Sequence, residues 1–368
     1  MRLTVLDKNF DAIGVIPLFR TLIWTRRYEK PGEFGLYASN EYFELLNRGR
    51  YLYRNDADEL GVIDWVNYVQ DTNGSREAYA KGNFAEYLLY DKVIYPTAIL
   101  DGNVETGMRE LVNLYAINPD AAERKIKHLR LGELSGIDET IKIQITGANL
   151  SEKLYDIGNS MELSHRVRYD FLTNDLAFEV WRGKDRRDSQ TENSWAVFSN
   201  AFYNIRNVVY NRCGASYKNY AYVAGAGEGA ARIVVEVDMR TVPDEERKEI
   251  FVDARDLQQQ DSNGNPIPLD VYKAQLVQRG REKLAEYRIV ETVESGIDPF
   301  ANLVYKKDFD LGDYCTYINT EINVETDKRI TEVMETYEGG ATEIAVTFGT
   351  NEVSTIRQLI KSPANKCQ

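Results

Sequence analysis

The chain has 368 residues, a net charge of −13 and a pI near 4.9. A chain of this length is expected to form more than one domain, and its acidic balance disfavours wrapping of nucleic acid, which requires a basic face. Cys213, Cys315 and Cys367 form no C-x-x-C pair, so neither a zinc ribbon nor a disulfide framework is predicted. The N-terminal residues show no apolar stretch typical of a signal peptide and no run of about 18 apolar residues occurs, so we expect neither secretion by a signal peptide nor a membrane anchor.

The first hundred residues alternate between polar and apolar side chains. Residues 2–6 and 21–28 have the period of half-buried strands, and turns are predicted at 30–33 and 71–74. Because these strands are short and no helix of useful length separates them, we expect a small antiparallel barrel or sandwich.

The pattern becomes mixed after residue 80. Residues 102–118 and 269–287 predict amphipathic helices, and Ser151 is the expected N-cap of another helix. Strands are predicted again near the end of the chain, at 289–294, 314–318, 329–337 and 342–348. The predicted fold class is therefore a β-rich α+β protein, in which two related β-modules bracket a mixed domain.

Glycines and histidines give little support for catalysis. The segment 225–229 departs from a dinucleotide fingerprint in spacing and is followed by a strand, so it is interpreted as a hairpin turn. His128 and His165 stand beside basic residues and are both predicted to lie on the surface. The mixed charges of 181–188 predict an exposed turn with self-paired charges.

The segment 305–319 contains three carboxylates in a D-x-D-x-x-D spacing. Asp308 and Asp310 match the first positions of a calcium loop, but Asp313 replaces its glycine and Asn319 its final glutamate. We therefore interpret the cluster as a turn that leads into a strand, with Asp313 bonded to local amides or paired with a base such as Arg329. A metal site at the three aspartates is the weaker alternative, and no cofactor is predicted.

Several short sequence segments, taken in order, resemble those of phage tail hub proteins, which are the baseplate hub and tail-associated proteins of long-tailed phages. They are residues 23–28, 31–34, 61–64, 178–186, 197–199, 217–223, 247–255, 307–313, 329–333 and 346–349. The residues that carry the resemblance, with expected structural roles, are Trp24, Gly32, Phe34, Gly183, Asp185, Phe198, Asp253, Leu311, Gly312, Asp313 and Arg329.

The resemblance implies a homotrimeric ring that closes or extends the tail tube and lets DNA pass without specific binding. It implies two antiparallel β-barrel-like tube domains in each copy, one at 1–102 and one at 226–244 with 296–352. A peripheral α+β domain would comprise 103–225 and 245–295, and 353–368 would form a tail. The implied partners are a distal tail or tail-tube protein, the tape-measure protein, and receptor-binding or fibre proteins.

The implied location is the virion tail tip, after assembly in the host cytoplasm. No complete catalytic motif is present, and the chain is predicted not to be an enzyme. Two alternatives stay open: a tail-associated cell-wall glycosidase or peptidase, and a β-protein that binds host polysaccharide, which the 24 Tyr and 4 Trp suggest.

Overall fold

A computed structural model describes residues 1–70, 72–229, 232–242, 244–260, 264–298 and 301–349. The predicted tail at 353–368 lies outside the described residues, as does Asp71 of the turn predicted at 71–74. Strands dominate the described chain and helices are few, which confirms the β-rich prediction. None of the described helices has the length and apolar composition needed to cross a bilayer.

The first segment of the chain is built almost entirely of short strands, with one short helix. The strands are β1 Leu3–Leu6, β2 Ala12–Ile16, β3 Thr21–Arg27, β4 Glu33–Ser39, β5 Tyr51–Arg54, β6 Leu60–Val62, β7 Trp65–Gln70 and β8 Arg76–Asn83, and the helix is α1 Phe43–Arg48. The predicted strands at 2–6 and 21–28 are therefore confirmed.

The middle of the chain mixes helices and strands. The helices are α2 Val104–Val112, α3 Leu150–Ser160 and α4 Leu269–Ala285. The strands are β9 Ala98–Asn103, β10 Leu129–Leu131, β11 Thr140–Ile145, β12 Ser164–Asp170, β13 Asp175–Trp181, β14 Val197–Ser199, β15 Ile205–Cys213, β16 Tyr220–Ala224, β17 Val234–Asp238 and β18 Glu249–Asp253.

The end of the described chain returns to strands: β19 Val290–Ile297, β20 Tyr314–Asn319, β21 Val324–Glu338 and β22 Ala341–Gly349. All four strands predicted there are confirmed, and β21 is longer than its predicted range. The glycine segment 225–229 follows β16 and precedes its antiparallel neighbour β17, as the hairpin interpretation requires.

One sheet joins the two ends of the chain. Its strands follow the order β15-β19-β22-β21-β3-β4-β8-β7, and every neighbouring pair along this path is antiparallel. The central contact pairs β3 with β21, so each half of the path contributes four consecutive strands. Among the described residues, β7 and β15 have a strand neighbour on one side only.

Smaller sheets and three helices cover the rest of the core. They are β2-β1-β5-β6, β10-β13-β12, β11-β9 and β17-β16-β18. The helices α2 and α3 contribute to the largest buried cluster, and α4 packs on β16 and β17. None of the described sheets closes on itself, so the two-barrel arrangement is not confirmed at the level of a single chain.

The N-cap of α3 differs from the prediction. The side chain of Asn149 accepts a hydrogen bond of 3.1 Å from the amide of Glu152, whereas Ser151 lies buried within the first turn. An Asn three residues before that amide satisfies an orphan helix donor as well as Ser does. The helix therefore begins earlier than the serine suggested.

Candidate functional site: the junction around Asp313

The carboxylate of Asp313 lies at a junction between distant parts of the chain. It is 4% exposed and accepts hydrogen bonds from the amide of Lys184 at 2.8 Å, the amide of Asp310 at 3.0 Å and Nε of Arg186 at 2.7 Å. Burial is the largest influence on the Asp313 carboxyl and leaves its pKa raised, although these three donors offset part of the effect. The expected backbone contacts are present, but the basic partner is Arg186 and not Arg329.

Two glycines let the two segments approach each other. A Cβ added to Gly183 would lie 2.0 Å from the carbonyl carbon of Gly312, a distance that no side chain can occupy. Gly312 itself has φ +82°, and a Cβ there would lie 2.7 Å from the ring of Trp181. Both positions therefore require glycine, one for space and the other for conformation as well.

Arg329 connects the junction to a third segment. Its guanidinium donates to the carbonyl of Gly312 at 2.6 Å, lies 3.2 Å from the carboxylate of Glu162 and sits 5.0 Å from the ring centre of Tyr28. The hydroxyl of Tyr28 donates to the backbone carbonyl of Glu162 at 3.0 Å, and its ring packs edge-on against Trp181 at 5.1 Å. The site therefore joins the first segment, the mixed region and the C-terminal strands.

The predicted exposed turn at 181–188 is only partly correct. Asp185 and Arg187 form a local pair at 2.5 Å, as predicted, and the guanidinium of Arg187 lies over Tyr314. Arg186 is instead 8% exposed and reaches inward to Asp313 and to Oγ of Ser194. The two arginines diverge because the chain pairs with Tyr314 at Asp185, which turns neighbouring side chains to opposite sides.

The other residues of the resemblance lie elsewhere, except for Leu311, which borders the junction and packs in the C-terminal core. Phe198 occupies the same core, with its ring 5.0 Å from Phe309 and 4.8 Å from Phe348. Asp253 ends β18 and pairs with Arg255 at 2.6 Å, a bond that lowers the pKa of Asp253 to about 2.

Trp24, Gly32 and Phe34 belong to the core under the first segment. The ring of Trp24 lies 4.5 Å from that of Phe84 and 6.0 Å from that of Phe34. A Cβ on Gly32 would lie 2.5 Å from the Phe84 ring, so the glycine provides space for this aromatic group. These three residues therefore stabilise the sheet and do not contact Asp313.

The three candidate metal ligands each have separate protein partners. Asp308 accepts from the amide of Val304 at 2.8 Å, and Asp310 pairs with Arg26 at 2.6 Å. Across the described residues, no group of three or more His, Cys, Asp or Glu side chains is placed to hold a metal ion. The geometry favours the interpretation of the aspartate cluster as a turn.

A buried charge network next to the junction was not foreseen. Arg26 binds Glu59 at 2.6 Å, and burial would raise the pKa of Glu59, but Arg26 and Lys306 lower it to about 2. Arg54 and Glu335 form a second pair at 2.7 Å, and both side chains are almost completely buried. An arginine within an otherwise apolar strand is the only sequence signal, and it does not identify the distant partner.

The prediction that both histidines lie on the surface is wrong for His165. His128 is exposed, whereas His165 is 3% exposed and packs at a tilt against the rings of Tyr155 at 4.2 Å and Phe178 at 5.6 Å. Successive side chains of β12 point to opposite faces, so His165 lies on the buried face and its basic neighbour Arg166 on the more exposed one. Burial lowers the pKa of His165 to about 3.

A small cavity of about 30 Å³ borders His165 and the carboxyl group of Glu86. Burial raises the pKa of Glu86 to about 7, although the amide of Gly32 donates to it at 3.1 Å. The cavity lies next to the junction, since Trp181 and Leu311 also line it. It is large enough for water but not for a substrate.

Comparisons with known proteins agree on one family and one fold. A model of the Siphovirus ReqiPepy6 Gp37-like protein family matches residues 2–350. No curated protein matches the chain.

Three solved structures share the fold at low sequence identity. The tail protein from Neisseria meningitidis MC58 is 13% identical, with a TM-score of 0.56 and coverage of 96% of each chain. The 43 kDa tail protein of prophage MuSo2 from Shewanella oneidensis is 8% identical, with a TM-score of 0.59 and coverage of 95% of this chain and 98% of that one. Prophage tail protein gp18 from Listeria monocytogenes EGD-e is 13% identical, with a TM-score of 0.56 and coverage of 98% and 99%.

These matches confirm the resemblance to phage tail proteins over nearly the whole chain. The chain belongs to the family of Siphovirus ReqiPepy6 Gp37-like proteins and has the fold of phage tail proteins.

Proposed function

We propose that this protein is a structural component of a phage tail and that three copies form a hub ring at the tail tip. The observation that carries the proposal is the sheet that joins the two ends of the chain. Its path consists of two four-stranded halves, and both outer strands present backbone groups with no strand partner among the described residues. Such edges are templates for pairing with another chain.

The strand directions fit a closed ring. Because all neighbours along the path are antiparallel, β7 and β15 run in opposite directions, as β21 and β3 do at the central contact. Placing β15 of one copy beside β7 of the next therefore repeats the antiparallel contact between the two halves. A head-to-tail contact of this kind generates a ring if the rotation closes.

The two halves act as quasi-equivalent modules in this proposal. Three copies would contribute six four-stranded modules, which suits a junction with a six-fold tail tube. The proposed domains 1–102 and 226–244 with 296–352 supply six of the eight strands of the modules. The other two, β15 and most of β19, come from the ranges 103–225 and 245–295, and the rest of those ranges lies peripherally in this proposal. Barrel-like closure would then arise between copies, not within one chain.

The open face of the sheet has the charge expected for a DNA passage. Residues that lie opposite each other in neighbouring antiparallel strands point to the same face of the sheet. We follow this pairing from Ile23 of β3 across the sheet to define one face, and on this face glutamates outnumber basic side chains. The glutamates are Glu33, Glu77, Glu294, Glu332, Glu338 and Glu343, and the basic residues are Arg20, Arg27, Lys81 and Arg206. We propose that this face lines the lumen, where excess negative charge repels phosphates.

Several properties of the assembled tail follow from this proposal. The protein acts at the virion tail tip after assembly in the host cytoplasm, and DNA only passes through the ring. Its neighbours would be a distal tail or tube protein, the tape-measure protein, and receptor-binding or fibre proteins. The junction around Asp313 would hold the two modules and the peripheral domain in fixed positions, which a closed ring requires.

Lysine substitutions at the two edges test the ring. Val69 of β7 and Val209 of β15 are 48% and 49% exposed, and a lysine at either position discourages strand addition. Ile322, which is also 49% exposed but outside both edges, provides a matched control as Ile322→Lys. We expect light scattering to show trimers for the unmodified chain and the control, and monomers for Val69→Lys and Val209→Lys. Trimers that survive both edge substitutions would contradict the edge contact.

A further inference from the structure

A wide cleft lies along the contact between the β5 segment and the sheet that contains β12 and β13. Its volume is about 660 Å³, within the range of sites that hold small molecules. Tyr53 and Asp58 line it from the β5 segment and Arg168, Phe171 and Glu179 line it from the sheet, and the two parts touch where Tyr53 stacks on Phe171 and Asp58 pairs with Arg168. The cleft is distinct from both the free sheet edges and the junction around Asp313.

Aromatic side chains form a rigid apolar wall in the cleft. The rings of Tyr53 and Phe171 are stacked at 4.7 Å with an interplanar angle of 7°, and Tyr169 packs edge-on against Tyr53 at 5.5 Å. Leu172, which is 94% exposed, extends the apolar surface at the mouth. Because the rings hold one another in place, a ligand would bind to them with little loss of side-chain freedom.

The charged groups of the cleft are largely paired within the protein. Arg168 contacts Asp58 at 3.1 Å and Glu179 at 3.7 Å, and Arg130 contacts Asp175 at 3.2 Å. Asp56 is paired in the same way with Arg54, at 3.1 Å. Pairing reduces the net field but leaves carboxylate lone pairs and guanidinium hydrogens free for additional hydrogen bonds.

We propose that this cleft binds a neutral oligosaccharide. A sugar ring presents an apolar C–H face, which suits the aromatic wall, and a rim of hydroxyl groups, which donate to carboxylates and accept from guanidinium groups. A basic peptide fits less well, because the carboxylates that would attract it are already paired with arginine. The proposal concerns binding only and does not depend on the ring, since the cleft is complete within one chain.

Binding to a printed array of neutral and charged oligosaccharides tests the proposal, followed by titration calorimetry with the tightest neutral ligand. Phe171→Ala removes the stacked ring, and Arg130→Ala removes a donor from an ion pair that is half-exposed and adds little stability. We expect each variant to bind about tenfold more weakly. Phe202→Ala, at an exposed phenylalanine outside the cleft, should bind as the unmodified chain does.

Thermal unfolding of each variant separates loss of binding from loss of fold, and Arg130→Ala remains informative if Phe171→Ala is unstable. The absence of any bound oligosaccharide would overturn the proposal. Equal affinity of Arg130→Ala and the unmodified chain would also overturn it, as would binding of an oligolysine peptide in place of sugars. None of these results bears on the ring, whose test is the mass of the edge variants.

Discussion

Replacing His165 by phenylalanine should make the protein more resistant to acid. The imidazole is buried between Tyr155 and Phe178, and within the described chain no protein group bonds to either ring nitrogen. Burial therefore favours the neutral ring and lowers the pKa of His165 from 6.5 to about 3. A phenylalanine ring can occupy the same position between the two aromatic rings without taking up a proton.

The sign and size of the effect follow from linkage. Because the pKa of His165 is depressed in the folded state, its contribution to stability is complete above pH 6.5 and is lost as the pH falls toward 3. At about pH 4.5 the unfolded histidine is protonated and the folded one is not, which costs about 2–3 kcal/mol of unfolding free energy. Glu86 has the opposite effect on the pH dependence of stability. Its pKa is raised to about 7 in the folded state, so its contribution to the unfolding free energy is lost as the pH rises through about 7.

Urea unfolding at neutral pH and at about pH 4.5 measures this effect. At each pH the unfolding free energy of the unmodified chain is subtracted from that of His165→Phe, and the two differences are then compared. A cost of fitting the phenylalanine that is the same at both pH values cancels in this comparison. The variant should gain about 2–3 kcal/mol relative to the unmodified chain on acidification. His128→Asn, at the exposed histidine, provides the control and should show no such gain. Identical pH dependence of His165→Phe and the unmodified chain would refute the reasoning.

Three further substitutions test the buried contacts. Asp313→Asn leaves Arg186 buried without its carboxylate and should lower the unfolding free energy by about 3–5 kcal/mol. The control Asp308→Asn should lower it by less than about 1 kcal/mol. Equal effects of the two substitutions in urea unfolding would contradict the claim that the Asp313–Arg186 pair stabilises the fold. Gly183→Ala places a methyl group against the Gly312 carbonyl and should lower the unfolding free energy by about 1–3 kcal/mol. An unchanged urea midpoint would show that the segments around Gly183 and Gly312 can move apart without cost. Glu335→Gln should cost about 3–5 kcal/mol because Arg54 stays buried, and a neutral result would count against that ion pair.

The strands and helices were largely predictable because their patterns are local. Strands such as β12 and the second half of β21 alternate between buried and more exposed residues, and α2 shows the expected amphipathic pattern. Partners across long separations were not predictable. Asp313 pairs with Arg186, 127 residues away, although Arg329 is closer in sequence.

The burial of a side chain could not be predicted either where the pairing of strands determines which face it occupies. His165 looked like a surface residue because Arg166 follows it, yet the register of β12 with β13 places the ring inside. The aspartate spacing at 308–313 suggested ligands, whereas in the structure the carboxylates of Asp308, Asp310 and Asp313 bind separate protein donors. In each case the deciding contact comes from another part of the chain.

Electron cryo-microscopy of the assembled tail tests the central claim most directly. We predict three copies around the axis, with β7 of each copy beside β15 of the next and the glutamate-rich face of the sheet lining the central passage. A ring of a different copy number would contradict the proposal. So would copies whose β7 and β15 edges remain apart, or a passage lined mainly by basic side chains.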